Sequence, residues 1–174
     1  MKRVPVVVFA LLLGLVTGGL LIWSTPGVSA QGQSSANMLV VAAVTRKCIV
    51  TTEPMDFGQY DPVQVHATAP LDGQSRITVA CTKGAVVQIG IDDGTSGTPG
   101  TRRMTGGASA VLTYDLFQDA GRTIRWGNTT TDGMDGGVAP SRDPRPFTVY
   151  GRVAGGQDVA EGAYQDTVVV TVNF

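Results

Sequence analysis

From residue 76 onward the chain repeats one pattern, an apolar residue at every second position, interrupted by short polar breaks. In RITVACT (76–82), Ile77, Val79 and Cys81 alternate with Thr78 and Ala80. VVQIGID (86–92) places Val87, Ile89 and Ile91 on one face, and VLTYDLF (111–117) does the same with Leu112, Tyr114 and Leu116. RTIRW (122–126) and FTVYGRV (147–153) continue the series. YQDTVVVTVNF (164–174) sets Val168, Val170, Val172 and Phe174 on one side and Thr167, Thr171 and Asn173 on the other. This period of two predicts β-strands, because successive side chains of a strand point to opposite faces. Asp-Gly pairs at 72–73, 93–94, 132–133 and 135–136 predict turns, since glycine accepts positive φ without a steric cost. Residues 127–146, with four Gly and three Pro, are predicted to be a long, mobile surface connection. Many short strands in one domain predict an all-β sandwich or barrel.

Two segments break the alternation. Residues 4–23 are an apolar run preceded by Lys2 and Arg3 and followed by Val28-Ser29-Ala30. That order is the signature of a signal peptide cut after Ala30, with an uncleaved membrane anchor as the alternative. The second segment is Met38–Val44, seven apolar residues in a row. Counting back from Cys48 by twos gives Arg46, Val44, Ala42, Val40 and Met38 on one strand face, while Leu39, Val41 and Ala43 make the other face apolar too. A strand of this kind left in water is an aggregation hazard. Burying its Met38 face is worth about 4–8 kcal/mol at ~25 cal/mol per Å². Either it enters its own sheet or it is meant for another molecule.

Composition narrows the function. Removing residues 1–30 leaves 11 basic against 14 acidic residues, a charge of −3. No clustered basic footprint for nucleic acid remains. The two cysteines, Cys48 and Cys81, both lie in the exported part, where an oxidising compartment favours a disulfide. Closing that loop contributes about 3–4 kcal/mol. Two cysteines and the single histidine, His66, make no zinc site at their spacing. His66 defines no catalytic triad and is expected to be an exposed loop histidine. Asp92-Asp93-Gly94 and TDGMDGG (131–137) lack the ligand spacing of a calcium loop and read as turns. GGQDVAEG (155–162) opens no helix and cradles no phosphate. An enzyme is not expected, and neither is a metal or cofactor.

The alternation before Cys48 is followed by MDFGQYDP (55–62), ITVACTKG (77–84), IDDG (91–94), RRM (102–104), LTYDLF (112–117), YGRV (150–153) and GAYQDTVVVTVNF (162–174). In this order and spacing the chain resembles the spore coat protein U family, which includes subunits of archaic chaperone–usher pili. The resemblance implies an incomplete immunoglobulin-like β-sandwich of the pilin type, missing its last strand. Residues 31–46 become an N-terminal donor strand and 47–174 the sandwich domain. Met38, Val40, Ala42 and Val44 are then plugs for a neighbour's groove, and Val168, Val170, Val172 and Phe174 line the acceptor groove. The implied partners are a periplasmic chaperone, an outer-membrane usher and further copies of the chain, assembled head to tail at the cell surface for adhesion or biofilm formation. Asp56-Phe57-Gly58 is expected as a buried aromatic beside a turn, with Tyr164 and Asp166 anchoring the start of the last strand. A self-complemented monomeric coat protein and a small secreted carbohydrate-binding module are the alternatives.

Overall fold

The computed structural model describes Gly27 and residues 31–174, so the expected signal peptide lies outside the described residues apart from Gly27. The chain divides into two units, Met1–Val41 and Ala42–Phe174. In the first, residues 31–41 carry no regular secondary structure and are exposed.

The second unit is all β. Its strands are β1 (Cys48–Thr52), β2 (Leu71–Cys81), β3 (Val86–Ile91), β4 (Arg102–Thr105), β5 (Val111–Phe117), β6 (Met134–Val138), β7 (Arg145–Val153) and β8 (Val170–Asn173). They form two antiparallel sheets, β1-β2-β7-β5-β4 and β6-β3-β8. The alternating apolar residues of both sheets meet between them, with Ile77, Val79, Val87, Ile89, Ile91, Leu116 and Val149 all buried. This face-to-face burial is what a period-two pattern requires. Trp126 fills the centre and is fully buried, its indole N–H donating to the Ile89 carbonyl at 2.8 Å. Cys48 and Cys81 are directly opposed in the β1–β2 ladder and are joined by a disulfide. The result is an incomplete immunoglobulin-like sandwich.

Several expectations are corrected. RTIRW is no strand: Asp119 accepts from the backbone N–H groups of Thr123 and Ile124, and Arg122 takes a positive φ of 56°, so the chain turns instead. Its one ladder-like contact is an isolated bridge between Phe117 and Arg125. The connection 127–146 is not simply irregular, because it contains β6, paired to β3 through a bulge between Val87 and Gln88. Asp72-Gly73 makes no turn but lies inside β2, opposite Arg152 and Gly151. Gly73 and Gly151 are small because the Phe57 ring packs over them; a Cβ on Gly151 would stand 2.7 Å from that ring. His66 is not an exposed loop residue. It is 9% exposed, stacks on Tyr60 at 5.0 Å, and its Nδ1 accepts the Asp61 N–H at 2.8 Å.

Candidate functional site

The two sheets do not close along one seam. On one side runs the segment leaving β1, with Thr52, Pro54, Met55 and Phe57, and on the other the stretch from Tyr164 to Val170. Between them lies an open groove of about 380 Å³ whose floor includes the core side chains Ile77, Ile91, Leu116 and Val149. A second hollow of about 840 Å³ shares Met55, Phe57, Met104 and Tyr164 with the first and extends it between residues 56–62 and 159–163. The two hollows thus run over core side chains that are themselves at most 4% exposed.

The groove wall comes from the last segment. β8 pairs only with β3, so among the described residues its outer edge of backbone N–H and C=O groups has no ladder partner. Val168, Val170 and Val172 are partly buried and pack against the core, whereas Phe174 at the chain end is 47% exposed. The ladder starts only at Val170, six residues later than the alternation predicts. Before it, the segment is extended but tied to residues 92–95: Asp92 N–H donates to the Val169 carbonyl, Val169 N–H to the Asp92 carboxylate, and Thr95 N–H to the Thr167 carbonyl. These bonds take the place of sheet pairing and hold the wall straight.

Tyr164 and Asp166 anchor the start of that wall. The Tyr164 ring lies against Gly106 and its hydroxyl donates to the Ala160 carbonyl at 2.8 Å. Asp166 accepts from the Tyr114 hydroxyl at 2.8 Å, the Ser96 N–H at 3.0 Å and the Thr95 hydroxyl at 3.1 Å. Partial burial would raise the Asp166 carboxyl, but these donors and the Thr167 N–H outweigh it and hold the group below the usual carboxylate value. Burial and the neighbouring Asp166 carboxylate push the Tyr114 hydroxyl well above its ordinary value, so it stays a neutral donor. Gly94, at φ 82°, leaves the space that the Asp166 carboxylate occupies. Phe57 is half-buried and meets Tyr114 edge to face at 6.0 Å.

Of the residues singled out in the last segment, Val168 and Val170 line the groove, Val172 packs against the core outside it, and Phe174 is exposed. Met38, Val40 and Val44 are 83–86% exposed, and neither they nor Ala42 lie in a strand. The contribution of Met55, Met104 and Tyr114 to the groove was not foreseen. Only Tyr114 carried a local signal, its inward parity in β5.

Residues 34–171 match the model of the Spore Coat Protein U domain. The chain belongs to this family. Protein U of Myxococcus xanthus is 36% identical to this family member over 154 residues, which are 81% of this chain and 85% of that protein. Among solved structures, the family member is similar to a chain in the CsuC–CsuE chaperone–tip adhesion subunit pre-assembly complex, from the archaic chaperone-usher Csu pili of Acinetobacter baumannii. The TM-score is 0.55 at 22% identity, over 75% of this chain and 40% of that one. The Spore Coat Protein U domain described here thus has a pilin-type fold, and it spans less than half of that structural relative.

Proposed function

We propose that the chain is a structural subunit of a chaperone–usher pilus, polymerising by donor-strand exchange and serving adhesion or biofilm formation. The observation that carries this reading is the open groove floored with core side chains in a chain that also holds an exposed apolar segment, Met38–Val44. Addition of a strand to a free sheet edge joins the two: backbone hydrogen bonds set the register and alternate side chains fill the groove. Residues 1–30 direct export, 31–46 are the donor extension and 47–174 the acceptor domain. Met38, Val40, Ala42 and Val44 are the plugs, and Val168, Val170, Val172 and Phe174 line the strand that receives them.

A subunit with an open groove needs a temporary occupant in the periplasm. The fold shared with a subunit from a chaperone pre-assembly complex supports a periplasmic chaperone in that role, with an outer-membrane usher as the site of exchange. The subunit is structural and needs no catalytic group or cofactor. Because each copy donates and accepts, the contact is head to tail and grows an open filament on the cell surface.

The test is a gel of protein sheared from its native cells, run in SDS unheated and boiled. A ladder of multimers that collapses to one band on boiling is the expected result. Val40→Asp places a charge among the plugs and should abolish the ladder while chaperone binding persists. A single monomer band in both lanes would overturn the polymer and favour a coat protein that closes its own groove, a reading to which the match with Protein U lends weight.

A further inference from the structure

The groove wall and the apolar segment carry the same written pattern with opposite ends. In the last segment Val172, Val170 and Val168 pack against the core, Phe174 shares their parity at the exposed end, and the next residue of that parity is Asp166, which lines the groove. Along one face of the N-terminal segment stand Met38, Val40, Ala42 and Val44, and the next is Arg46. Each strand reads four apolar residues and then one charge, of opposite sign.

Laid antiparallel, the two match at all five positions, Met38 opposite Phe174 and Arg46 opposite Asp166. Laid parallel, Met38 faces the carboxylate and Arg46 faces Phe174. An antiparallel slip of two residues sets Val44 against Asp166 and Arg46 against Tyr164. Only one register satisfies every position.

Asp166 is ready for such a partner. Its hydrogen bonds come from neutral donors, and among the described residues no basic side chain pairs with it. By contrast, Asp72, Asp93 and Asp115 each hold an arginine. Its four donors, the Tyr114 and Thr95 hydroxyls and the Ser96 and Thr167 N–H groups, are all neutral, so among the described residues its negative charge has no opposite charge beside it. The surroundings agree: Glu53 lines the groove and Asp56, Asp61 and Glu161 line its continuation, while residues 31–52 contain Arg46 and Lys47 and no acid.

We propose that residues 38–46 of a second copy of this chain dock antiparallel along the free edge of β8, in the register that sets Arg46 against Asp166. This ion pair selects the register, and the four plugs supply the burial. The proposal rests on the polymer reading and adds the alignment.

The test uses cysteine pairs on the outward face, away from both plugs and charges. Opposed residues in an antiparallel pair have Cα atoms about 4.5–5.5 Å apart, within disulfide range. Thr45→Cys is combined in separate full-length chains with Thr167→Cys, Gln165→Cys or Asn173→Cys, which report the proposed register, the two-residue slip and the parallel arrangement. Filaments sheared from cells are boiled in SDS without reductant. Covalent multimers from the Thr45/Thr167 pair alone are the expected result. Multimers through residue 165 or 173, or none from any pair while unboiled multimers persist, would overturn the register. If the unsubstituted chain forms no SDS-resistant multimers, the polymer reading falls, and the register with it. Arg46→Glu should lower multimer yield roughly fivefold, the upper range for a partly exposed pair, with Arg46→Lys close to the unsubstituted chain. Equal yields from Arg46→Glu and the unsubstituted chain would remove the ion pair from the proposal.

Discussion

Arg102 places a guanidinium where solvent does not reach, with its side chain 0% exposed. It is tolerated there because its polar atoms find partners. Nη1 donates to the Asp115 carboxylate at 2.7 Å, Nε to the Asp92 carbonyl at 2.8 Å, and Nη2 to the carbonyls of Ile91 and Trp126. Burial pulls the arginine below its ordinary pKa, and the adjacent Asp115 opposes that pull. The side chain therefore joins the end of β3, the turn at Trp126 and β5 below the anchored wall of the groove. Arg102→Ala leaves three carbonyls and a carboxylate short of a donor and should cost about 3–5 kcal/mol, read as a drop in the urea midpoint. Arg125 pairs with Asp93 at 2.6 Å and Asp115 at 2.9 Å but is 29% exposed, so Arg125→Ala should cost only about 1 kcal/mol. Equal losses for the two would show that burial does not set the difference. Gly94 makes a third case: at φ 82° and beside the Asp166 carboxylate, Gly94→Ala strains the backbone and displaces the anchor together.

Among the elements, β1 is an edge strand whose hold on the domain combines its ladder to β2 with the Cys48–Cys81 disulfide, 33 residues apart in sequence. Replacing both cysteines by serine should cost about 3–4 kcal/mol in a comparison of oxidised and double-mutant unfolding midpoints. A loss below ~1 kcal/mol would mean that the unfolded chain is barely constrained by the bond. The alternating residues that define β2, β3, β5 and β7 were legible because each of those strands has one face in the core. β6 was not, since Met134-Asp135-Gly136-Gly137-Val138 has little to alternate and becomes a strand through its ladder to β3. RTIRW showed the opposite failure. Its large residues suggested a strand, but Ile124 is 55% exposed and only Trp126 goes inward, so an Asp119 turn decides the backbone. The stretch 164–169 is extended, but its backbone hydrogen bonds go to Asp92 and Thr95 and, through one isolated bridge at Gln165, to Thr105 of β4, not to a continuous ladder. The groove was legible in part. Val168, Val170 and Val172 announce an inner face, but the contact between Asp166 and Tyr114 joins positions 52 residues apart and leaves no local trace.

For the molecule as a whole, the charged groups set how stability depends on pH. Asp61, Asp72, Asp93, Asp119, Asp132 and Asp166 all sit below the ordinary aspartate value of 3.8. The causes differ. Backbone N–H groups after Asp61 and Asp119 hold those two, Arg152 holds Asp72, and Thr129 holds Asp132. At Asp93, burial opposes the shift and the hydrogen bond from Arg125 wins. A carboxyl depressed in the folded state binds its proton more readily when unfolded. Its contribution is therefore complete above the unfolded value and is lost as pH falls through the folded one. Tyr114 behaves oppositely: its raised pKa contributes below the ordinary 10.0 and is lost as pH rises through the folded value. The expected profile is a plateau through neutral pH, a fall below about pH 4 and a second fall in strong alkali. Urea midpoints taken from pH 2 to 11 check it. A decline already under way between pH 7 and 5 would contradict the aspartate assignment. The acid limb should also differ between forms if Arg46 of a neighbour faces Asp166. That pairing depresses Asp166 further, so its share of stability in a multimer persists to lower pH than in a monomer. A multimer and a monomer with the same acid midpoint would leave Asp166 without its proposed partner.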